Sequence, residues 1–293
     1  MSLKEYLEQK LSPETVKLYL RDIKIYLDYQ TEEKAKTASY QDILQYIEYL
    51  RKHYPKPQTI NRMLYGVKAW YFWLIETNQR NDHPCRYLRL KDAKQSPMQL
   101  QDLFTEKELE SLLDRKERYE SIRIRNQVII SLLIYQALRQ KEIINLKVQD
   151  IDLESGTVFI GASRNSNERK LQLRANQVMM FYKYIHEARQ GLLKSTTEKL
   201  IINLRGKPET GEGINYLIET FKSKYPNRNL NAQTIRQSVI SNQLKPASAG
   251  GKGKGLREVQ YFAGHKKISS TERYRQTGLE ELKAAIQKYH PLG

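Results

Sequence analysis

Three short segments of the chain carry side chains whose types and order suit chemistry. In Ala137-Leu138-Arg139-Gln140-Lys141-Glu142-Ile143 an arginine ends an apolar stretch, and a glutamate follows three positions later. In Thr234-Ile235-Arg236-Gln237-Ser238 a second arginine lies within a helical pattern. In Leu256 to Tyr274 the pair Gly264-His265 precedes a tyrosine. Arginine offers a planar, permanently charged fork that matches two phosphate oxygens. Tyrosine can attack phosphorus and hold a covalent phosphotyrosine. Taken singly, each residue has a plainer reading. Tyr274 is one of 20 tyrosines, and a lone tyrosine usually packs. His265 would cap a helix, Arg139 would favour a helix C-terminal dipole, and Arg236 would be solvated. Glu142 reads as a partner that holds Arg139.

The charge balance narrows the ligand. The 293 residues hold 50 Lys+Arg against 33 Asp+Glu, a formal net charge of +17. Such a surface attracts polyanions, nucleic acid first among them. Residues 1–100 carry 17 basic and 12 acidic side chains and residues 101–293 carry 33 and 21, so both halves are basic. Cys85 is the one cysteine, which excludes an internal disulfide and a cysteine-based zinc cluster. No apolar run reaches the ~18 residues of a membrane span. The opening MSLKEYLEQK has no apolar signal region, so the expected location is the cytoplasm.

Other signals fail on their details. Gly250-Gly251-Lys252-Gly253-Lys254-Gly255 lacks the Ser or Thr and the preceding strand of a phosphate-binding loop. It reads as a loop that touches phosphate through Lys252 and Lys254. The five histidines show no metal-ligand spacing, and Asp150-Ile151-Asp152 lacks the remaining ligands of a calcium loop. No metal and no cofactor is expected.

The elements that must position these groups form two regions, helical and then mixed. Ser12-Pro13 starts a helix with Ser12 as cap; Val16, Leu20, Ile23 and Leu27 share its face. A second helix follows Ser39, with Ile43, Ile47 and Leu50 inward. Thr59–Thr77 places Ile60, Leu64, Val67, Tyr71 and Leu74 on one stripe; Arg62 and Lys68 fall outside it and face solvent or phosphate. The domain assignment is 1–95 for this helical unit, 96–104 for a polar linker and 105–293 for a mixed unit. There, Thr105 to Glu108 is a capping box, and an apolar helix runs from about Ile122 to Leu138. Strands Thr157–Ile160 and Arg169–Leu173 flank a polar hairpin, Gly161–Glu168. Helices cover about Ala175–Leu193, Gly213–Lys224, Gln233–Leu244 and Leu256–Ala263. A last helix carries Leu279, Leu282, Ile286 and Tyr289. The fold class is mainly α with a small β-hairpin sheet.

Together these segments resemble the tyrosine recombinase/integrase family, DNA strand-exchange enzymes. The first is similar to its GLR-xx-E-L box with an L-xxx-D-I-D tail, and the last to its late box, in which a glycine-histidine pair precedes a threonine and the tyrosine. The helical region resembles the family's core-binding domain. The resemblance implies Arg139 and Arg236 as catalytic arginines, His265 as the late histidine and Tyr274 as the nucleophile. Two positions depart. Gln233 replaces an early histidine; it can hydrogen-bond but cannot take a proton. The hairpin lysine has no clean match, and Arg164 and Lys170 compete for its role. The implied function is site-specific recombination through a 3′-phosphotyrosyl link, by a tetramer on two synapsed duplexes. Accessory bending or directionality proteins would assist, and Arg62, Lys68, Lys252, Lys254, Lys266 and Lys267 would grip DNA. The final helix would dock on its own or on a neighbouring protomer. The alternatives are a nicking-closing topoisomerase and a DNA-binding protein that has lost catalysis.

Overall fold

Serine caps and prolines start the helices of the first region. The computed structural model describes residues 1–92, 103–245 and 252–275. The chain splits into two compact units, Met1–Met98 and Gln99–Gly293.

The first unit has helices α1 (Leu3–Lys10), α2 (Pro13–Tyr29), α3 (Glu32–Thr37), α4 (Tyr40–His53) and α5 (Pro57–Glu76). Ser2 and Glu5 form a capping box on α1, as do Ser39 and Asp42 on α4. Ser12 makes no such bond. Its hydroxyl meets that of Thr15 at 2.9 Å, and α2 starts on Pro13 alone. Helix α5 packs against α1, α2 and α4, so more than one stripe of it is buried. Tyrosines fill this core. Tyr26 and Tyr71 are buried with their hydroxyls 2.6 Å apart, and Tyr71 donates to the Ala35 carbonyl. Burial pushes the Cys85 thiol up to about 12, so it is protonated and packs as an apolar group.

The second unit contains α6 (Glu106–Glu110), α7 (Glu120–Tyr135) and α8 (Gln140–Asn145), then β1 (Ile151–Asp152), β2 (Thr157–Ile160) and β3 (Arg169–Gln172). Helices α9 (Ala175–Lys183), α10 (Arg189–Leu192), α11 (Gly211–Glu219), α12 (Ala232–Leu244), α13 (Leu256–Ala263) and α14 (Ser269–Glu272) follow. Helix α7 is buried all round and runs through the core. The strands form an antiparallel sheet in the order β1-β2-β3, with Val158 opposite Ile151 and Leu171, and Ile160 opposite Arg169.

Several expected boundaries move. The apolar helix ends at Tyr135 rather than Leu138, because Ala137 takes the left-handed conformation with φ 51°. The expected helix over 175–193 contains a π-helical turn at Tyr184–Ala188. Phe104, placed in the linker by sequence, is buried in the core of the second unit, and its N–H donates to Ser238 Oγ. Residues 96–102 of the expected linker, 246–251 of the Gly/Ala/Lys loop, and the final helix with Leu279, Leu282, Ile286 and Tyr289 lie outside the described residues.

Candidate active site

Four separate segments of the second unit deliver the candidate side chains. The turn at Ala137 ends α7 and redirects the chain into α8. Arg139 caps that helix. Its N–H donates to Glu142 Oε2 at 2.8 Å, and its guanidinium to Glu142 Oε1 at 3.0 Å. Strand β3 then fixes the far side of Glu142. Side chains alternate across a strand, and the pattern is Arg169 in, Lys170 out, Leu171 in. Arg169 is fully buried and grips Glu142 in bidentate fashion at 3.1 and 2.9 Å. Burial by itself would raise the Glu142 carboxyl. The bonds and charges of Arg169 and Arg139 outweigh it and hold the group at about 2.

Arg236 arrives on α12, 6% exposed. Its guanidinium donates to the Ala137 carbonyl, to the Ala263 carbonyl at 2.5 Å and to His265 Nε2 at 3.2 Å. Burial, then the charge of Arg139, pulls its pKa down, yet a guanidinium keeps its proton. His265 follows Gly264, which closes α13 in the left-handed conformation with φ 64°. A Cβ at Gly264 would stand 2.5 Å from the Arg169 guanidinium, so the approach needs glycine. An arginine can only donate, so His265 Nε2 accepts from Arg236, and Nδ1–H donates to Thr271 Oγ1 at 2.8 Å. Burial, with Arg236, Arg139 and Arg169 nearby, lowers the His265 pKa to about 4, leaving the ring neutral at neutral pH. The Tyr274 ring stacks on it, with centroids 5.8 Å apart and planes 17° apart.

Arg139, Arg164, Gln233, Arg236, His265, Lys266, Lys267 and Tyr274 line one cavity of about 700 Å³. Gln233 is exposed near the start of α12, and Arg164 is exposed at the tip of the β2–β3 hairpin. The remaining candidates lie elsewhere. Lys170 points outward, 3.9 Å from Asp152, and lines a separate cavity with Lys252 and Lys254. Strand alternation puts it on the face opposite Arg169. Lys252 and Lys254 pair with Glu106 at 3.0 Å and Glu258 at 2.6 Å.

In the first unit, Lys68 does not face solvent. It is 8% exposed and donates to the carbonyls of Arg86 at 3.2 Å and Leu88 at 2.5 Å. Arg62 pairs with the buried carboxylate of Asp22. Lys68 is thus tied to the helical unit's own backbone, while Arg62 keeps 30% of its side chain exposed beside that ion pair.

Two residues escaped the sequence reading. Arg169 sits at an inward register position opposite Ile160 and two residues before Leu171, a charged residue where the alternation calls for an apolar one. Thr271 fixes the His265 tautomer; its signal was its place between His265 and Tyr274. Among the described residues no His/Cys/Asp/Glu cluster has metal-site geometry.

Three guanidiniums around one glutamate leave net positive charge in a confined space, over a tyrosine. A phosphate answers that charge, and the class so defined is an enzyme that breaks and rejoins DNA. Residues 102–280 match the Phage integrase family, and residues 3–78 match the Phage integrase N-terminal SAM-like domain. The chain belongs to the phage integrase family, the tyrosine recombinases. It is 28% identical to the tyrosine recombinase XerD of Oceanobacillus iheyensis, over 97% of this chain and 95% of that protein. It is 24% identical to XerC of Halalkalibacterium halodurans, over 97% and 94%. Among solved structures, the XerH site-specific recombinase bound to palindromic difH substrate superposes with a TM-score of 0.72 at 19% identity, over 94% of this chain and 78% of that one. The Tn1549 transposon integrase in complex with a circular intermediate DNA gives 0.68 at 17%, over 98% and 99%. These structures share the fold.

Proposed function

We propose that this enzyme is a site-specific recombinase whose nucleophile is Tyr274. The hydroxyl attacks the scissile phosphorus, releases a 5′-hydroxyl and leaves a 3′-phosphotyrosyl link. That link keeps the phosphodiester energy, so religation needs no ATP. Arg139 and Arg236 neutralise the non-bridging oxygens, where preorganised donors act most strongly on the transition state. His265 holds Arg236 and supports the Tyr274 ring. Arg164 supplies the hairpin's positive charge, and Gln233 hydrogen-bonds to the phosphate. Lys266 and Lys267 extend the grip along the duplex, with affinity falling steeply as salt rises. A tetramer on two synapsed duplexes in the cytoplasm completes the exchange, with accessory bending or directionality proteins setting its outcome.

The observation that carries this reading is the convergence of Arg139, Arg236, His265 and Tyr274 on one cavity from segments far apart in sequence. The test is a duplex nicked beside its cleavage site, so that the released fragment diffuses away. A covalent protein–DNA adduct is expected from the wild type and none from Tyr274→Phe. An adduct that persists in Tyr274→Phe would transfer the role to another residue. Strand transfer between two labelled duplexes, against relaxation alone, separates recombination from nicking and closing.

A further inference from the structure

A departing 5′-oxygen leaves as an unstable alkoxide unless a proton reaches it. Few groups in the candidate cavity can give one. Arg139, Arg164 and Arg236 are guanidiniums, which hold their protons. Gln233 has none to release. The His265 N–H is held by Thr271 Oγ1. Outside the cavity, Lys170 and Lys252 face carboxylates at 3.9 and 3.0 Å.

Among the described residues that line the cavity, two ammonium groups remain, Lys266 and Lys267, in the turn between α13 and α14. Both are exposed and both line the cavity beside Tyr274. The turn is built to present them. Gly264 reverses the chain in the left-handed conformation, His265 goes inward, and the next two residues face outward. Ser270 N–H to the Lys267 carbonyl at 3.1 Å, and Thr271 N–H to the Ile268 carbonyl at 2.7 Å, hold the shape. We infer that the Lys266–Lys267 pair supplies the general acid of this recombinase, protonating the departing 5′-oxygen in place of a hairpin that offers only Arg164. This rests on the assignment of Tyr274 as nucleophile.

The step balances as follows. The bond from Tyr274 Oη to phosphorus forms and the phenolic proton passes to water. The bond from phosphorus to the 5′-oxygen breaks, its electron pair stays on oxygen, and that oxygen takes a proton from a lysine Nζ. In religation the neutral amine takes the proton back from the attacking 5′-hydroxyl.

The test compares nicked substrates that carry either the ordinary 5′-oxygen or a bridging 5′-sulfur at the scissile phosphate. A thiolate is a far weaker base than an alkoxide, near pKa ~8.5 for a thiol, and leaves without a proton. Full-length protein is used and the Tyr274-dependent adduct is timed. The Lys266→Ala/Lys267→Ala double variant should lose at least ~10²-fold on oxygen and return to near the wild-type rate on sulfur. The Lys266→Arg/Lys267→Arg variant keeps the charge and should show the same defect and the same rescue. The single variants then identify which lysine donates. Full oxygen activity in the arginine variant, or no sulfur rescue of the alanine variant, overturns the inference, because charge or binding would then explain the loss. A wild type that is itself accelerated ~10²-fold by sulfur overturns it too, because no protein acid would be at work. An adduct that persists in Tyr274→Phe on either substrate overturns the Tyr274 assignment itself.

Discussion

Lys68 in the helical unit and Arg236 in the catalytic unit are both buried, at 8% and 6% exposure. Each donates to two backbone carbonyls from other segments. Each is thus a clamp on the chain, and burial lowers the pKa of both. What separates them is company. Lys68 lines a cavity with Lys10, Arg86 and Arg89, and its ammonium stands 5.5 Å from the Tyr65 ring, its hydrogen bonds going to carbonyls rather than to a carboxylate. Arg236 stands with Arg139 and Arg169 around one glutamate and shares a cavity with Arg164 and Tyr274. Like charges gathered at low dielectric repel, and an incoming anion relieves that repulsion. A buried ammonium spent on two carbonyls is structural; guanidiniums gathered around one carboxylate at the wall of a cavity make a receptor.

Arg236→Lys sharpens this contrast most. It keeps a positive charge but loses the fork, and adduct formation should fall by roughly 10²–10³. Lys68→Met should leave the cleavage rate per folded molecule unchanged while destabilising the helical unit by about 1–3 kcal/mol, the cost of two unpaired carbonyls. A comparable loss of cleavage in Lys68→Met would break the contrast.

Glu142→Gln comes next. Removing the charge that Arg169 faces uncouples a buried pair, and unfolding in denaturant should show a loss on the order of 3 kcal/mol. An unchanged midpoint would mean that Arg169 is held by packing alone.

Acid should act on the catalytic unit in two stages. His265 titrates near 6.5 when unfolded and near 4 when folded, so the unfolded chain binds the extra proton between those values. Its contribution is complete above pH 6.5 and is lost as pH falls through 4, about 3 kcal/mol in all. Glu142 titrates at 4.5 unfolded and about 2 folded, and its similar contribution is lost over that lower range. Unfolding of His265→Gln should lack the upper limb. A flat profile from pH 7 to pH 4 in the wild type would contradict a buried neutral imidazole.

Ala137→Gly carries the smallest effect. Left-handed backbone costs an L-residue about 1–2 kcal/mol, and glycine gives back part of that relief in chain entropy. A gain below about 1 kcal/mol is expected in chemical denaturation. A loss would show that the Ala137 methyl contributes more by packing than its φ of 51° costs.

Local chemistry explains what was legible in the sequence. Pro13 opens a helix because proline's fixed φ suits a first turn, and Pro57 does the same two residues ahead of the expected start at Thr59. Strand Arg169–Gln172 alternates buried and exposed, whereas Thr157–Ile160 buries three of its four residues. Lys68 lies outside the apolar stripe of α5 yet is buried, because α1, α2 and α4 enclose that helix on several sides. The choice between Arg164 and Lys170 stayed open because it depends on register: Arg169 points inward to Glu142, so Lys170 must point away.

The sequence by itself determined the residue types and their order, and so the family: two arginines, a histidine and a tyrosine in characteristic local boxes. It also determined the two-unit plan and the positive charge. Only the tertiary structure decided which cations meet. Arg236 and the Ala137 carbonyl it clamps are 99 residues apart, and no local pattern links them. A charge's surroundings depend on which segments the core brings together, and packing of the whole unit sets that.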